Sequence, residues 1–481
     1  MKKYYILMLW ITALILTQGC KKTLDENPKT FVSPTAFFTN ADSYEQAVLG
    51  IYSTVRNVYS GNSMMMREMF SDIYDYPSNV EQARDTYNNN HQPYFYNVRG
   101  EWSNDYAIIK NANFILKYLP DATLITAEKK SALTAEARFL RAFAYFQLVQ
   151  FYGDVPLRVA PITDYAEAAS PRVAQADIYK FILDDLNYAE ANLPLTAAKQ
   201  GRVYKLVATA LLAKVYLTMA GYPLMQTTYF KNARDKAVEV ISSGKFQLVN
   251  DYAKVFHNTT YSSESIWEQL FRVDLGGNGM QTNTSTAIGF VPILLPAPSF
   301  INSFPNGDQR KSWGILQNYA GSGGTVLAPF FQKFVNLTIV DAGTAPGGVI
   351  NAYTLPFLRL GEMYLIAAEA ENEINGPATA YQYINAIRAR ARINKADLTQ
   401  VPDLSGLTKE SFRSAVYTER KWELHLEGST WFDLKRTQTL NKIQVMRGTM
   451  LTHPIGSYNN TWYIPDQEIL NNNITQNPAY Q

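Results

Sequence analysis

The strongest constraint in the sequence is one long helical stripe that ends in a chain-reversing signal. Within 131–152, apolar residues recur at Leu133, Ala137, Leu140, Ala144, Leu148 and Phe151. Steps of three and four residues bring all six to one side of a 3.6-residue helix. Gly153 and then Pro156 follow, the order in which a cap glycine and a helix-incompatible proline end a helix. The same reading predicts helices over 175–193, 203–220 and 230–243, stopped by Pro194, by Gly221 with Pro223, and by Gly244. A further pair, 359–375 and 377–393, hinges at Gly376-Pro377, and 410–427 forms the last long helix. Ala208, Ala210, Ala213, Ala233, Ala237, Ala367, Ala368, Ala370 and Ala386 are small enough for neighbouring helices to approach closely. This predicts an all-α chain of tetratricopeptide-like helix pairs with few short strands, although no strict 34-residue period is present. A short strand pair is expected within 326–338.

Two stretches break the helical pattern. Residues 72–102 are rich in Asn, Tyr and Pro, and 276–348 in Gly, Pro, Ser, Thr and Asn. Long loops in a compact chain are commonly where binding occurs. Aromatic residues make up 13% of the chain, with 32 tyrosines, and that excess must lie in the core or on a binding face. A sugar ring offers an apolar C–H face and a rim of hydroxyls, so a flat aromatic side chain beside Asp, Asn or Arg matches it. Tyr74, Asp75, Tyr76 and Asn79 supply that combination within a few residues, and Arg84, Tyr94 and Tyr96 follow. Trp313 and Tyr319 are the candidates in the second stretch. Asp72 is read as structural, and Trp102, with Tyr106, Ile109 and Asn113 at helical spacing, as core.

The N-terminus reads as an address. Lys2 and Lys3 precede an apolar run over 6–16, and Thr17-Gln18-Gly19-Cys20 follows. The run is too short to span a bilayer and suits a signal peptide. Residues 1–19 are therefore expected to be removed, with Cys20 as the lipidated first residue and 20–34 as a polar tether. Lipid chains hold a soluble domain to a membrane at about 0.8 kcal/mol per buried CH₂. Cys20 is the single cysteine, which excludes intrachain disulfides and thiolate metal clusters. The formal charge is +2, and loss of Lys2 and Lys3 leaves 2 − 2 = 0, against the basic face that nucleic acid requires.

Catalytic patterns are missing. His91, His257, His425 and His453 have no zinc-helix spacing. No G-x-S-x-G elbow occurs. Gly321-Ser322-Gly323-Gly324 lacks the Lys-Ser/Thr of a phosphate loop, and Gly277-Asn278-Gly279 does not complete a dinucleotide fingerprint. The scattered aspartates make no continuous calcium loop. No enzyme activity, metal or cofactor is expected. Arg138, Arg141, Glu419, Arg420, Glu423, Trp431, Asp433 and Arg436 are read as a packed salt-bridge system. Glu419 and Glu423 are like charges four apart on one helix, so cations must sit beside them, with Arg420 and Arg436 as the expected partners.

Five ordered blocks carry a resemblance. They are 136–157 (EARFLRAFAYFQLVQFYGDVPL), Gly201-Arg202 with 208–217, 358–372 with 384–390, 419–436 (ERKWELHLEGSTWFDLKR), and 464–468 with 475–480. Together they resemble the SusD/RagB family of outer-membrane nutrient-binding lipoproteins over essentially the whole mature chain. The resemblance implies about four tetratricopeptide-like helix pairs packed against a loop-rich ligand-binding face. It divides the chain into an N-terminal region, 35–275, and a C-terminal region, 276–481, packed as one fold. It implies a cell-surface, lipid-anchored protein that captures an oligosaccharide and acts as the lid of a SusC-like TonB-dependent transporter. A peptide-binding lid of the same kind of import complex is the alternative.

Overall fold

The computed structural model describes residues 37–58, 63, 65–76, 81–90, 96–162, 169–287, 292–320, 324–338 and 351–480. The predicted signal peptide, Cys20 and the tether lie outside the described residues. The chain separates into a unit ending at Gln46 and a second running from Ala47 to Gln481. In the first, the Asn40 side chain accepts the Ser43 N–H at 2.9 Å, capping helix α1 (Ala41–Val58). Phe38 stacks on Tyr44 with centroids 4.6 Å apart.

In the second unit the long helices are α2 (Tyr96–Tyr118), α3 (Ala127–Tyr152), α4 (Gln175–Asn192), α5 (Lys205–Ala220), α6 (Tyr229–Ser242), α7 (Leu360–Asn375), α8 (Pro377–Ala391), α9 (Lys409–Leu424) and α10 (Thr430–Arg436). From α2 to α9 each packs on the next in sequence, the arrangement of helical pairs expected from the small-residue faces. Thr126 caps α3 through the Lys129 N–H, and Gly153 closes it at φ 71°. Gly376, at φ 84°, ends α7 and starts α8, with Pro377 as the first helical residue. Helix α3 is buried well beyond the predicted stripe: Glu136, Arg141, Gln147 and Gln150 are buried with its apolar residues. Arg141 there makes a bidentate pair with Asp185 of α4 at 2.8 and 2.9 Å and donates to Asn113 of α2 at 2.7 Å.

The array is interrupted between α6 and α7. These helices pack together, yet residues 243–359 leave the array and return between them. The neck of the excursion is an antiparallel pair, β4 (Ser265–Gln269) with β8 (Leu355–Arg359). Trp267 of β4 is 1% exposed and packs edge-on against Phe139 and Phe143 of α3. Two-residue ladders complete the strands. They are β1 (Tyr74–Asp75) with β5 (Leu295–Pro296), β2 (Val155–Pro156) with β3 (Arg172–Val173), and β6 (Ile315–Leu316) with β7 (Phe330–Phe331). The expected strand pair within 326–338 is half right: β7 lies there, but its partner is β6, outside that range.

A buried ion lattice bolts the excursion to the array. Arg310 pairs with Asp308, Glu419 and Glu423. Arg359 pairs with Glu264, Glu423 and Glu427. Arg390 reaches Glu264 and Glu423, Arg388 reaches Glu419, and Lys333 reaches Glu427. Burial alone would raise the Glu423 carboxyl, but Arg390, Arg359 and Arg310 hold it well below the usual carboxylate range. The expected partners of Glu419 and Glu423 are thus corrected. Arg420 is one residue, about 100° of helix, away from Glu419, and turns to Asp433 and Glu362. Arg436 pairs with Glu369 and Asp433.

The helix expected over 410–427, α9, is also shorter than expected. It stops at Leu424, and Leu426 takes φ 62° and Gly428 φ 79°. The N–H groups beyond are claimed from outside the helix. The Tyr74 hydroxyl accepts from Leu426 at 2.8 Å, and Glu68 accepts from Gly428 and Ser429 at 2.5 and 3.0 Å.

Candidate ligand-binding site

The two loop stretches meet through β1 and β5, where Tyr74 pairs with Pro296 and Asp75 with Leu295. Tyr74 and Tyr76 flank Asp75 and have opposite fates. Tyr74 is fully buried. Its hydroxyl donates to Glu68 at 2.5 Å, and its ring meets Phe331 edge-on at 5.6 Å. Glu68 also accepts from the Thr430 hydroxyl at 2.6 Å. Burial pushes its carboxyl up to about 7 against these donors. Tyr74 is therefore a buried strut and offers no face to a ligand, a correction to its reading as a platform. Asp72, ion-paired with Lys421, is structural as expected.

Tyr76 is half-buried. Its ring lies 5.8 Å from that of Tyr87, whose hydroxyl donates to Asp75 at 3.3 Å. Burial raises the Tyr87 phenol to about 12, offset in part by Arg447. That guanidinium lies 3.9 Å over the Tyr87 ring. It also donates to the carbonyls of Tyr87, Met69 and Ser71, tying the loop edge down. Arg84 is exposed beside Asp85 at 3.5 Å. Tyr96 opens α2. Asn79 and Tyr94 lie outside the described residues.

The second stretch forms a separate aromatic group. Trp313 is the C-cap of a one-turn helix, Gln309–Ser312, whose N-cap Asp308 accepts from the Arg310 N–H. Arg310 is locked in the ion lattice, so Trp313, three residues on, leaves the lattice with its backbone fixed. His257 likewise caps a one-turn helix, Ala253–Phe256. Its ring stands 5.0 Å from Trp313 at 71° and stacks on Tyr353 at 4.6 Å and 16°. Nε2 of His257 lies 3.1 Å from the Gln332 carbonyl, and burial holds the ring below its usual pKa. Asn351 accepts the Tyr353 N–H at 2.9 Å, and Thr354 donates to the Asn258 carbonyl at 2.9 Å. All three rings keep part of their surface exposed, giving a neutral, half-open aromatic face. Tyr319 sits edge-on to Phe330 at 5.6 Å, in a cluster with Leu295 and Val335.

Of the side chains gathered in these two groups, the sequence offers Tyr76, Asp75 and Trp313 as candidates and gives no signal for Tyr87, His257 and Tyr353. Tyr87 hid in a short helix, Glu81–Tyr87. Tyr353 falls just past the loop stretch, and no local spacing ties it to His257. Among the described residues no group of His, Cys, Asp and Glu could hold a metal ion, and no helix is long and apolar enough to cross a membrane.

Comparison with known proteins agrees with this architecture. The model of the SusD family matches residues 256–480. A second family model, described as starch-binding associating with outer membrane, matches residues 24–217. The chain belongs to the SusD/RagB family. A SusD-like protein of Formosa agariphila is 29% identical over 475 residues, covering 87% of each chain. A SusD superfamily protein from Parabacteroides distasonis shares the fold at a TM-score of 0.79 and 23% identity, over 91% of this chain and 99% of that one. A laminarin-binding SusD-like protein aligns at a TM-score of 0.75 and 25% identity, over 92% of this chain and all of the other. The all-α, tetratricopeptide-like class read from the helical stripes is the class of these SusD relatives.

Proposed function

We propose that this SusD-family protein is an oligosaccharide-binding lipoprotein of the outer membrane, carried on the cell surface by lipid at Cys20, and that it forms the lid of a SusC-like TonB-dependent transporter. The reading rests chiefly on one observation: a SusD-type helical frame carries two part-exposed aromatic groups on loops, each pinned from beneath by buried polar contacts. The laminarin-binding relative has the same fold. Trp313, His257 and Tyr353 form one stacking surface, and Tyr76 with Asp75 a second surface with a carboxylate to receive hydroxyls. Arg84 and Tyr319 are further candidate contacts, and Asn79, Tyr94 and Tyr96 are candidates by residue type alone. Half-exposed rings already fixed by packing lose little entropy on meeting a sugar. The protein binds and hands over its ligand without turning it over.

Affinity electrophoresis against laminarin, starch and other glycans is the direct test. Retardation by a glycan, reduced in Trp313→Ala and Tyr76→Ala, supports the reading. Binding of peptides with no retardation by any glycan replaces it with the peptide-binding lid. Release of product by the purified protein would make it a hydrolase. Fatty-acid labelling of the wild type, lost in Cys20→Ser, tests the anchor. Co-isolation with an outer-membrane barrel tests the lid, and full uptake by Trp313→Ala and Tyr76→Ala cells would leave only a structural adaptor.

A further inference from the structure

Two of the described histidines touch a main-chain carbonyl, and they leave their second nitrogen in opposite settings. His425 is fully buried, beside Phe300 and Phe331. Its Nδ1 lies 3.0 Å from the Trp422 carbonyl, and its Nε2 is buried with no partner. His257 is half-buried, with Nε2 3.1 Å from the Gln332 carbonyl. A carbonyl only accepts, so Nε2 carries the proton and the neutral ring keeps its lone pair on Nδ1. Nδ1 has no partner among the described residues and is not one of the polar atoms sealed from solvent, so that lone pair stays open.

Other open polar edges surround it. Neither the Trp313 Nε1–H nor the Tyr353 hydroxyl has a partner among the described residues, and neither is sealed. The His257 ring stacks on Tyr353 at 16° and stands at 71° to Trp313. The group thus shows a donor, an acceptor and a hydroxyl around flat apolar faces. The acceptor exists only while the imidazole is uncharged. Burial favours that state, and the Gln332 carbonyl and Asp251 oppose it. Asp251 is exposed and lies 3.8 Å from Lys254. The charges on the adjoining segments are engaged elsewhere: Arg310 in the ion lattice, and Lys333 on Glu427. Burial raises the Tyr353 phenol, which stays neutral.

We propose that His257 is the selecting hydrogen-bond acceptor of this aromatic group: its uncharged ring, held by the Gln332 carbonyl, takes a hydroxyl proton of a neutral sugar at Nδ1 while the sugar's C–H face lies on Trp313 or Tyr353. The inference rests on the reading of this surface as a glycan site and adds which atom chooses the ligand and in which charge state. A carboxylate brought to Nδ1 meets a lone pair and is refused, so uronic acids are disfavoured there. A ligand that covers the ring strips its remaining water, which costs an imidazolium more than an imidazole. Sugar binding and protonation of His257 therefore oppose one another.

Titration calorimetry of the full chain with laminarihexaose, maltohexaose, cellohexaose and xylohexaose, between pH 8 and pH 5, is the test. For an oligosaccharide that binds, affinity should hold above about 6.5, the ordinary imidazole value, and fall roughly three- to tenfold towards pH 5. His257→Phe keeps a flat ring without the acceptor. It should be weaker by a similar factor at pH 8 and insensitive to pH. His257→Gln keeps a donor for the Gln332 carbonyl and should behave likewise, so a loss caused only by unpairing that carbonyl is told apart. In ¹⁵N-histidine spectra, with the His257 signals assigned by their loss in His257→Gln, a saturating oligosaccharide should move the Nδ1 resonance and lower the pKa of the ring. Binding that is level across pH, binding equal in wild type and His257→Phe, or an Nδ1 resonance unmoved at saturation overturns the inference. If Trp313→Ala still weakens that binding, the glycan site stands without it. Failure of all four oligosaccharides to bind removes the glycan reading of this surface and the inference with it.

Discussion

The buried ion lattice and the Trp313 aromatic group meet in the same excursion, three residues apart at Arg310 and Trp313, and use polar and aromatic side chains for opposite ends. At Asp308, Arg310 and Lys333 every charge is taken inside and answered. At Trp313, Tyr353 and Tyr76 the rings are left part-open. The lattice is the foundation, and the edge is the surface to which the proposed function assigns the ligand. Arg310 and Trp313 share one helical turn, so the rigidity of the first fixes the position of the second. The loops that carry these rings are anchored by charge, since two-residue ladders such as β6/β7 supply few backbone bonds of their own.

The comparison is broken most severely by Arg310→Met. Three carboxylates, Asp308, Glu419 and Glu423, would lose their shared cation, and unfolding in denaturant should show a loss of about 3–5 kcal/mol. The same variant should weaken glycan retention through Trp313 even under conditions where the protein stays folded. Lys333, ion-paired with Glu427, and Lys435, which donates to the Gln150 carbonyl, are both buried, and a pH experiment reads the cost of the second. The Lys435 amine sits near 7 when folded and near 10.4 when unfolded. Between those values the unfolded chain holds more protons, so stability rises with pH across the window, by up to a few kcal/mol. Below about 7 the full cost of the buried charge is present. Lys435→Met should remove the Lys435 share of that rise and leave the smaller share of Lys333, whose amine burial lowers to about 8, as measured by the difference between wild type and variant in denaturant midpoints from pH 7 to 10.

The contrast between neighbouring tyrosines gives a smaller effect. Tyr74→Phe leaves the Leu426 N–H without its acceptor and removes a donor from Glu68, which should cost about 1–3 kcal/mol. Tyr76→Ala, at a half-open position, should cost less than about 1 kcal/mol. If their stability effects are equal, the division into strut and surface fails. The smallest effect concerns ligand alone. Trp313→Ala should lower glycan affinity by roughly 0.5–1.5 kcal/mol, read as reduced retardation in an affinity gel.

The long helices were legible because their signals are local. Periodicity, a cap glycine and a following proline all act within a few turns, and α3 ends at Gly153 and α7 at Gly376 as those signals dictate. Salt-bridge partners were not legible. Glu419 and Glu423 announced a need for cations, but Arg310, Arg359, Arg388 and Arg390 arrive from three other segments, while nearby Arg420 points elsewhere. The end of α9 was misplaced for the same reason, since Glu68 and Tyr74 are remote in sequence from the turn they stabilise.

The sequence by itself determined the helical frame and the two loop stretches, because spacing along the chain is enough to decide which residues share a helix face. Only the tertiary structure decided which aromatic rings stay open. Tyr74 and Tyr76 are indistinguishable by type and nearly so by position, and their exposure depends on Glu68, Leu426 and Tyr87 being brought beside them. Whether a buried amine meets a carboxylate, as Lys333 meets Glu427, or only a carbonyl, as Lys435 meets Gln150, depends likewise on partners far away in the chain.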